Sequence, residues 1–296
     1  MKDSTRWTIR VFVLAVGFYF IALGLAKPAV TPAYYSQFDR YPLVIAHADD
    51  MGSGVAPGNT LLFLERVAEL GVDVLEMDVQ ITADGHIVLL HDDTVDRTTT
   101  GTGPVNGLTL AQLQSLEVGG NWTADDGASY PYQGQGLTIP TLAAVFERFP
   151  DYPMNIEIKA EDPAIAPVLC RTITDNNMID TVLVVSSQDA ALKAFRKACP
   201  DVASGANRGD VTKFVLLNFV GVTGIISPPY QAFQVPETSG RIPVVTPYFV
   251  QAAHRANVQV HIWTINDPAE MQRFLDMGVD GIMTDKPAEM MALIGR

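Results

Sequence analysis

The sequence predicts an α/β protein: a (β/α)8 TIM barrel with a small loop insertion, preceded by one N-terminal transmembrane or signal segment. Three observations carry that expectation. From residue 43 onward, apolar runs of strand length alternate with segments of helical period, the pattern of a parallel sheet. About eight such repeats pass without a GxGxxG turn, which favours a closed barrel over an open dinucleotide-binding sheet. Once the leading apolar segment and linker are set aside, the remainder is close to the roughly 250 residues of a single barrel.

Taken in order, the chain begins with Lys2, Arg6 and Arg10 ahead of an apolar run from Val11 to Ala26, broken only by Gly17 and Gly24. Counted from Trp7, the run has roughly the twenty residues needed to cross the hydrocarbon core of a bilayer. Basic residues before it and few after it place the N-terminus in the cytoplasm and the rest outside. Gly24-Leu25-Ala26 also resembles a small-x-small cleavage site. The bulky Phe18, Tyr19 and Phe20 favour a retained single-pass anchor over a cleaved signal that would leave the domain secreted. Either way the domain is exported. Residues 1–26 are therefore assigned to the anchor or signal, 27–41 to an extended linker with Pro28 and Pro32, and 42–296 to the barrel.

Strands are expected at 43–46, 74–81, 87–90, 154–158, 182–185, 225–227, 258–262 and 281–283. Helices are expected at 60–70, 141–149, 163–174, 268–277 and 288–294. The stretch from Thr98 to Gly136, rich in Gly, Thr and Asp, is too long for an ordinary connection and reads as a functional insertion. A second apolar tract runs from Phe214 to Ile226. It reads as a barrel helix and its strand, with Tyr230 to Val235 as an apolar loop at the catalytic end that could touch lipid.

Composition narrows the chemistry. The chain is 48% hydrophobic and carries a formal net charge of −13, which suits a large core and excludes nucleic acid as a partner. An anionic substrate would need a cation to be held. The two cysteines, Cys170 and Cys199, lie in no CxxC or Cys/His cluster, so a thiolate zinc site is excluded. The expectation is two free buried thiols, with one disulfide as the alternative in an oxidising compartment.

The informative side chains lie where apolar strands end. Glu76 and Asp78 are two residues apart on one strand and so share a face, while Leu75 and Met77 take the other. Two carboxylates inside a barrel repel unless a cation lies between them, and oxygen-only ligands favour Mg2+ or Ca2+. Glu157 and Lys159 repeat the geometry, with Ile156 and Ile158 facing away. His47 ends the first strand, and His91 ends the third just before Asp92 and Asp93. Imidazole titrates near pH ~6.5, so two histidines beside carboxylates suit general acid and base work. His261 shares a face with Trp263, which could wall a substrate pocket. His86 and His254 read as solvent residues.

These residues lie in stretches that resemble the glycerophosphodiester phosphodiesterase family: Glu76-Met-Asp-Val, Thr82-Ala-Asp-Gly, His91-Asp-Asp-Thr-Val-Asp-Arg97-Thr, Asn155-Ile-Glu-Ile-Lys159, Trp263-Thr-Ile-Asn266 and Gly278-Val-Asp-Gly-Ile-Met-Thr-Asp-Lys-Pro287. The resemblance spans nearly the whole chain after the linker. It implies His47 and His91 as the acid/base pair, Glu76, Asp78 and Glu157 as ligands of one divalent cation, Lys159 as a phosphate contact, and Trp263 at the pocket border. The pattern Pro131-Tyr132, Ile139-Pro-Thr-Leu and Val145-Phe146-Glu147, with the tract from Phe214 to Pro236, is most similar to the membrane-anchored branch, which includes lysophospholipase D enzymes.

The first motif departs from the family. Where the family has His-Arg-Gly and then Glu-Asn-Thr, this chain has His47-Ala48-Asp49 and Gly58-Asn59-Thr60, with Asp50 adding a further charge. An arginine and a glutamate lost together are what a charge pair would show, because keeping one alone strands a charge. The resemblance thus implies metal-dependent hydrolysis of a glycerophosphodiester or a single-chain lysophospholipid at a membrane. The alternative is a membrane-anchored ligand-binding protein on the same barrel.

Overall fold

A computed structural model describes residues 2–48 and 54–296, with strands β1 (Leu43–Ala46), β2 (Val74–Ile81), β3 (Ile87–Leu89), β4 (Met154–Ile158), β5 (Val182–Val185), β6 (Ala203–Ser204), β7 (Ala232–Val235), β8 (Thr238–Ser239), β9 (Ile242–Pro243), β10 (Gln259–Ile262) and β11 (Gly281–Thr284). Among them run helices α1 (Lys2–Leu25), α2 (Ala33–Ser36), α3 (Leu61–Leu70), α4 (Leu110–Gln114), α5 (Leu142–Arg148), α6 (Ile165–Asp175), α7 (Asp189–Ala198), α8 (Arg208–Phe219), α9 (Pro247–Arg255), α10 (Pro268–Asp276) and α11 (Pro287–Leu293).

Eight parallel strands follow one another in the order β6-β5-β4-β2-β1-β11-β10-β7. A parallel bridge between Gly205 and Ala232 joins the two ends, so the sheet is a nearly closed barrel. β3 lies outside this circuit, antiparallel to the end of β2. Local chemistry starts and stops the helices. Thr60, Thr141 and Thr246 cap α3, α5 and α9 by accepting a backbone N–H, and Asn207 forms a capping box with Asp210 on α8. Pro247 and Pro268 open α9 and α10 where no N–H is needed. Gly71 ends α3 at φ 80°, a conformation that a side chain would strain.

The main core lies between sheet and helices, where Met77, Ile156 and Ile158 meet Phe63, Val145 and Leu169. Asn155, Glu157 and Glu76 stand on the opposite face, toward the axis of the barrel. The insertion after β3 is a folded subdomain, with a core of Val88, Leu90, Val95, Val105, Leu113, Val118 and Ile139.

Several expectations need correcting. The sixth barrel strand in chain order is Ala232–Val235, and Thr223–Ile225 forms a 3-10 turn instead of a strand. Pro228 and Pro229 separate two apolar runs of similar length. Only the second continues into a ladder, pairing along β10. The Tyr230 to Val235 segment is therefore no lipid-facing loop: Tyr230 and Phe233 are buried, and Phe233 packs against Phe214 and Phe249.

The segment 27–41 is not a free spacer either. α2 closes the N-terminal end of the barrel, with Tyr34 and Tyr35 buried against Leu183, Ala203 and Ala232. Ala29 N–H donates to Ala256 O at 2.8 Å, and Asn257 Nδ2 donates to Ala29 O at 2.7 Å. Cys170 and Cys199 are joined in a disulfide instead of free, because α6 and the end of α7 bring their Cα atoms to 5.5 Å. Among the described residues no helix is long and apolar enough to cross a membrane, so the expected span is not shown. Asp49 and Asp50 lie outside the described residues.

Candidate active site

The register of the barrel builds the site. β2 and β4 pair so that Asp78 lies opposite Glu157 and Glu76 opposite Asn155, all on the inner face. Both acidic strands run their charged ends to the C-terminal mouth of the barrel, where barrel enzymes carry their chemistry. Glu76, Asp78 and Glu157 each offer an oxygen within 4.8 Å of the others. Lys159, the next inward residue on the same strand course, places Nζ 3.1 Å from Asp78 and 3.0 Å from Glu157.

Backbone and amide donors fix the carboxylates. Ala48 N–H donates to Glu76 Oε2 at 2.8 Å. Asn59 grips Asp78 twice: its Nδ2 donates to Oδ2 at 2.9 Å, and its Oδ1 accepts the Asp78 backbone N–H at 2.8 Å. Burial pushes the Glu76 carboxyl up to about 8, and the neighbouring Asp78 charge adds to that, against the opposing pull of His47 and Lys159. Three carboxyl groups crowd one ammonium, so they cannot all ionise together at neutral pH unless further positive charge is supplied. That requirement and the oxygen-only donor set fit a hard divalent cation.

The two histidines at the mouth are held differently. His47 Nδ1 lies 2.6 Å from Asp285 Oδ1, and the other Asp285 oxygen accepts Asn266 Nδ2 at 2.6 Å. Asn266 Oδ1 in turn accepts the Asp285 backbone N–H and the Thr284 hydroxyl. Burial alone would lower the imidazole pKa. The Asp285 hydrogen bond and the charges of Glu76, Asp285 and Asp78 outweigh it and raise His47 to about 9. His91 follows Leu90, whose N–H donates to the Asp78 carbonyl at 3.1 Å, which sets His91 on the rim beside the acidic strand. Its Nδ1 lies 2.8 Å from Asp92 Oδ1. Arg97 holds that carboxylate with two bonds at 2.6 and 2.8 Å and keeps Asp92 down at about 2. With 45% of its side chain exposed, against 27% for His47, His91 is the more open of the two.

Trp263 stands one residue beyond β10 at the same mouth and is half exposed. His261 points into the barrel beneath it, with Nδ1 3.3 Å from Gln234 Nε2, and burial pushes it down to about 4. Its Nε2 and the Nδ2 of Asn155 are buried without a hydrogen-bond partner among the described residues. His86 and His254 are both exposed as expected, and His254 also bonds Asp280 at 2.8 Å.

Sequence reasoning missed Asn59, Asp285, Asn266 and the Asp92–Arg97 pair as working parts of the site. A signal for Asp285 existed: Thr284-Asp285 ends the last apolar strand as His47 ends the first, and those two strands pair.

Comparison with known proteins agrees with this geometry. A family model described as "Glycerophosphoryl diester phosphodiesterase family" matches residues 52–289, beginning just after His47-Ala48-Asp49. The chain is 33% identical over 260 residues to a glycerophosphodiester phosphodiesterase of Caldanaerobacter subterraneus subsp. tengcongensis, covering 85% of this chain and 97% of that protein. It is 23% identical over 260 residues to a human lysophospholipase D, covering 81% and 82% of the two chains. An Oleispira antarctica phosphodiesterase, solved with the product sn-glycerol-3-phosphate, superposes with a TM-score of 0.68 at 23% identity, over 90% of this chain and all of that one. With its nearly closed parallel barrel and acidic strand ends, the chain belongs to the glycerophosphoryl diester phosphodiesterase family.

Proposed function

We propose that this protein hydrolyses glycerophosphodiesters, with lysophospholipids as a second substrate class, at a site formed by Glu76, Asp78, Glu157, Lys159, His47 and His91. The observation that supports this most strongly is the convergence of three carboxylates and one lysine on the inner face, next to a histidine whose Nδ1 is already engaged by a buried carboxylate. Glu76, Asp78 and Glu157 would hold one divalent cation, Mg2+ or Ca2+, which when bound supplies Lewis-acid stabilisation of charge on the phosphoryl oxygens. Lys159 lies beside the same carboxylates and is held protonated, burial notwithstanding, by Asp78, Glu157 and Glu76, so its ammonium can contact a phosphate oxygen.

Because Nδ1 of each histidine faces a carboxylate, Nε2 is the ring atom left for the substrate. One histidine accepts the proton of the attacking hydroxyl, the phosphorus–oxygen bond to the leaving alcohol breaks, and the other histidine protonates that alcohol. The attacking hydroxyl is either water or the free hydroxyl of the substrate's own glycerol, which would give a cyclic phosphate before hydrolysis. Trp263 at the mouth offers a wall for the organic part of the substrate.

The setting we infer is extracytoplasmic: segment 1–26 tethers the domain to a membrane or, if cleaved, leaves it secreted. The Cys170–Cys199 disulfide supports export, since such bonds persist in oxidising compartments. Incubating the purified chain with Mg2+ or Ca2+ and a panel of glycerophosphodiesters and lysophospholipids tests the activity. Release of a phosphomonoester and a free alcohol is the expected result.

A further inference from the structure

The point at which α1 leaves the barrel decides which way the active site faces. The catalytic residues sit at the C-terminal ends of the strands. The chain enters β1 from the opposite end, through α2, whose tyrosines close the bottom of the barrel. The hydrogen bonds Lys27 N–H to Ser227 Oγ and Ala29 N–H to Ala256 O fasten residues 27–29 to that bottom end, since Ala256 follows α9 just before β10 begins.

Apolar surface accumulates at the same end. From Val11 onward α1 exposes Phe12, Val13, Leu14, Phe18, Phe20 and Ile21, on every side of that stretch of helix. A helix apolar all round is unsuited to water. Its last turn reaches the 3-10 turn Thr223–Ile225, where a Cβ on Gly224 would come within 2.9 Å of Leu23 Cδ1. That turn directly follows α8. Barrel helices run antiparallel to the strands, so the C-terminal end of α8 also lies at the bottom. There Leu216, Phe219 and Val220 are 62%, 64% and 69% exposed. Lys27 and Arg255 line a cleft between the end of α1 and the body, together with Pro28, Gly224 and Ile226. Exposed apolar side chains beside cations, continuous with an apolar helix, match the make-up of an interfacial lipid-binding surface.

We propose that the bottom of the barrel, formed by Leu216, Phe219, Val220, Lys27 and Arg255, docks on the lipid bilayer that α1 enters, so that the catalytic mouth opens toward water. The proposal rests on the membrane attachment inferred above. It corrects the expectation of a lipid-facing catalytic end. A substrate then reaches His47 and His91 from the aqueous phase, as a soluble glycerophosphodiester or a dissolved lysolipid monomer. Sideways extraction from the bilayer that carries the protein is ruled out by the orientation.

The test uses the full chain in nanodiscs of phosphatidylcholine with a minor share of phosphatidylglycerol. Nitroxide labels are placed by Phe219→Cys and Val220→Cys at the bottom, and by Tyr248→Cys at the exposed start of α9 near the mouth. Labels at 219 and 220 should relax with oxygen and be shielded from a water-soluble nickel chelate, and the label at 248 should do the reverse. Nickel access at 219 and 220 equal to that at 248, or a lipid-exposed label at 248, would overturn the proposal. Shielding of 219 and 220 from both reagents, with a doubled protein mass per disc, would also overturn it and assign the face to a second copy of the chain. Glycerophosphocholine hydrolysis measured in the same discs reports on the reaction separately. Its absence alongside the expected label pattern would count against the proposed reaction while upholding the docking face.

Discussion

His47 at the end of the first barrel strand and Asp285 just past the last one are joined at 2.6 Å, across the pair of strands that closes the N- and C-terminal halves of the barrel. The contact gives the imidazole a fixed orientation, and Asn266 fixes the carboxylate in turn. In the proposed reaction Asp285 does not itself reach substrate; it positions His47. Asp285→Asn is expected to lower kcat by about 10²-fold, within the usual worth of a positioned acid or base, with little change in KM. The limb of the pH–rate profile that belongs to His47 should move to lower pH. His47→Ala should cost at least as much. An unchanged pH profile in Asp285→Asn would reduce the contact to a structural one.

The carboxylate cluster makes its own prediction. Without a cation, Glu76 is raised to about 8 in the folded protein, so its protonated form is the stable one. Its contribution to stability is then present at pH below about 4.5 and is lost as pH rises toward 8. The melting temperature of cation-free protein should fall across that range. Mg2+ or Ca2+ should restore it most at the high-pH end, where the carboxylates are ionised. Glu76→Gln should flatten both the fall and the restoration. A cation-induced rise in melting temperature that survives Glu76→Gln would place the cation elsewhere.

His261 titrates in the opposite sense. Burial holds it at about 4, below the ordinary 6.5, so the folded state carries it neutral. Its contribution is complete above pH 6.5 and is lost as pH falls toward 4, because the unfolded chain takes up the proton first. The steepest slope such a single group can give is about 1.4 kcal/mol per pH unit. His261→Gln should remove that slope from chemical denaturation measured between pH 4 and 6.5. Parallel curves for the two proteins would mean that the imidazole is hydrated in the fold.

Phe233 separates a core role from a lipid-contact role. It is fully buried between Phe214 and Phe249, so Phe233→Ala should cost about 3–5 kcal/mol of stability. Phe233→Asp should prevent folding. A Phe233→Asp protein that folds normally but fails only on vesicle-borne substrate would restore the surface reading.

What could be read from the sequence and what could not divide along physical lines. Glu76, Asp78, Glu157 and Lys159 were readable because charges alternate with Leu75, Met77, Ile156 and Ile158, and a period of two puts each set on its own face. The barrel was readable from the alternation of strand-length apolar runs with segments of helical period. Asn59 and Asp285 were not assigned roles, because each acts on a residue far along the chain, Asp78 and His47. The Cys170–Cys199 bond likewise depends on how two helices meet. Strand β7 was misplaced because Ile225-Ile226 and Ala232–Val235 are equally apolar, and only pairing with β10 tells them apart. The segment 27–41 resembles a spacer because its prolines suggest extension, whereas Tyr34 and Tyr35 are the side chains that anchor it to the barrel.

What matters most is whether this barrel breaks a glycerophosphodiester bond using the Glu76, Asp78 and Glu157 cluster and its two histidines. The most direct measurement is phosphorus NMR of glycerophosphocholine incubated with the purified chain and Mg2+ or Ca2+, beside the Glu157→Gln and His91→Ala variants. The diester signal should convert to that of a phosphomonoester, directly or through a cyclic phosphate, with both variants slowed by about 10²-fold or more. A diester signal that persists with every cation and glycerophosphodiester tried, while the chain still binds those compounds, would contradict it and leave a ligand-binding protein on a hydrolase fold.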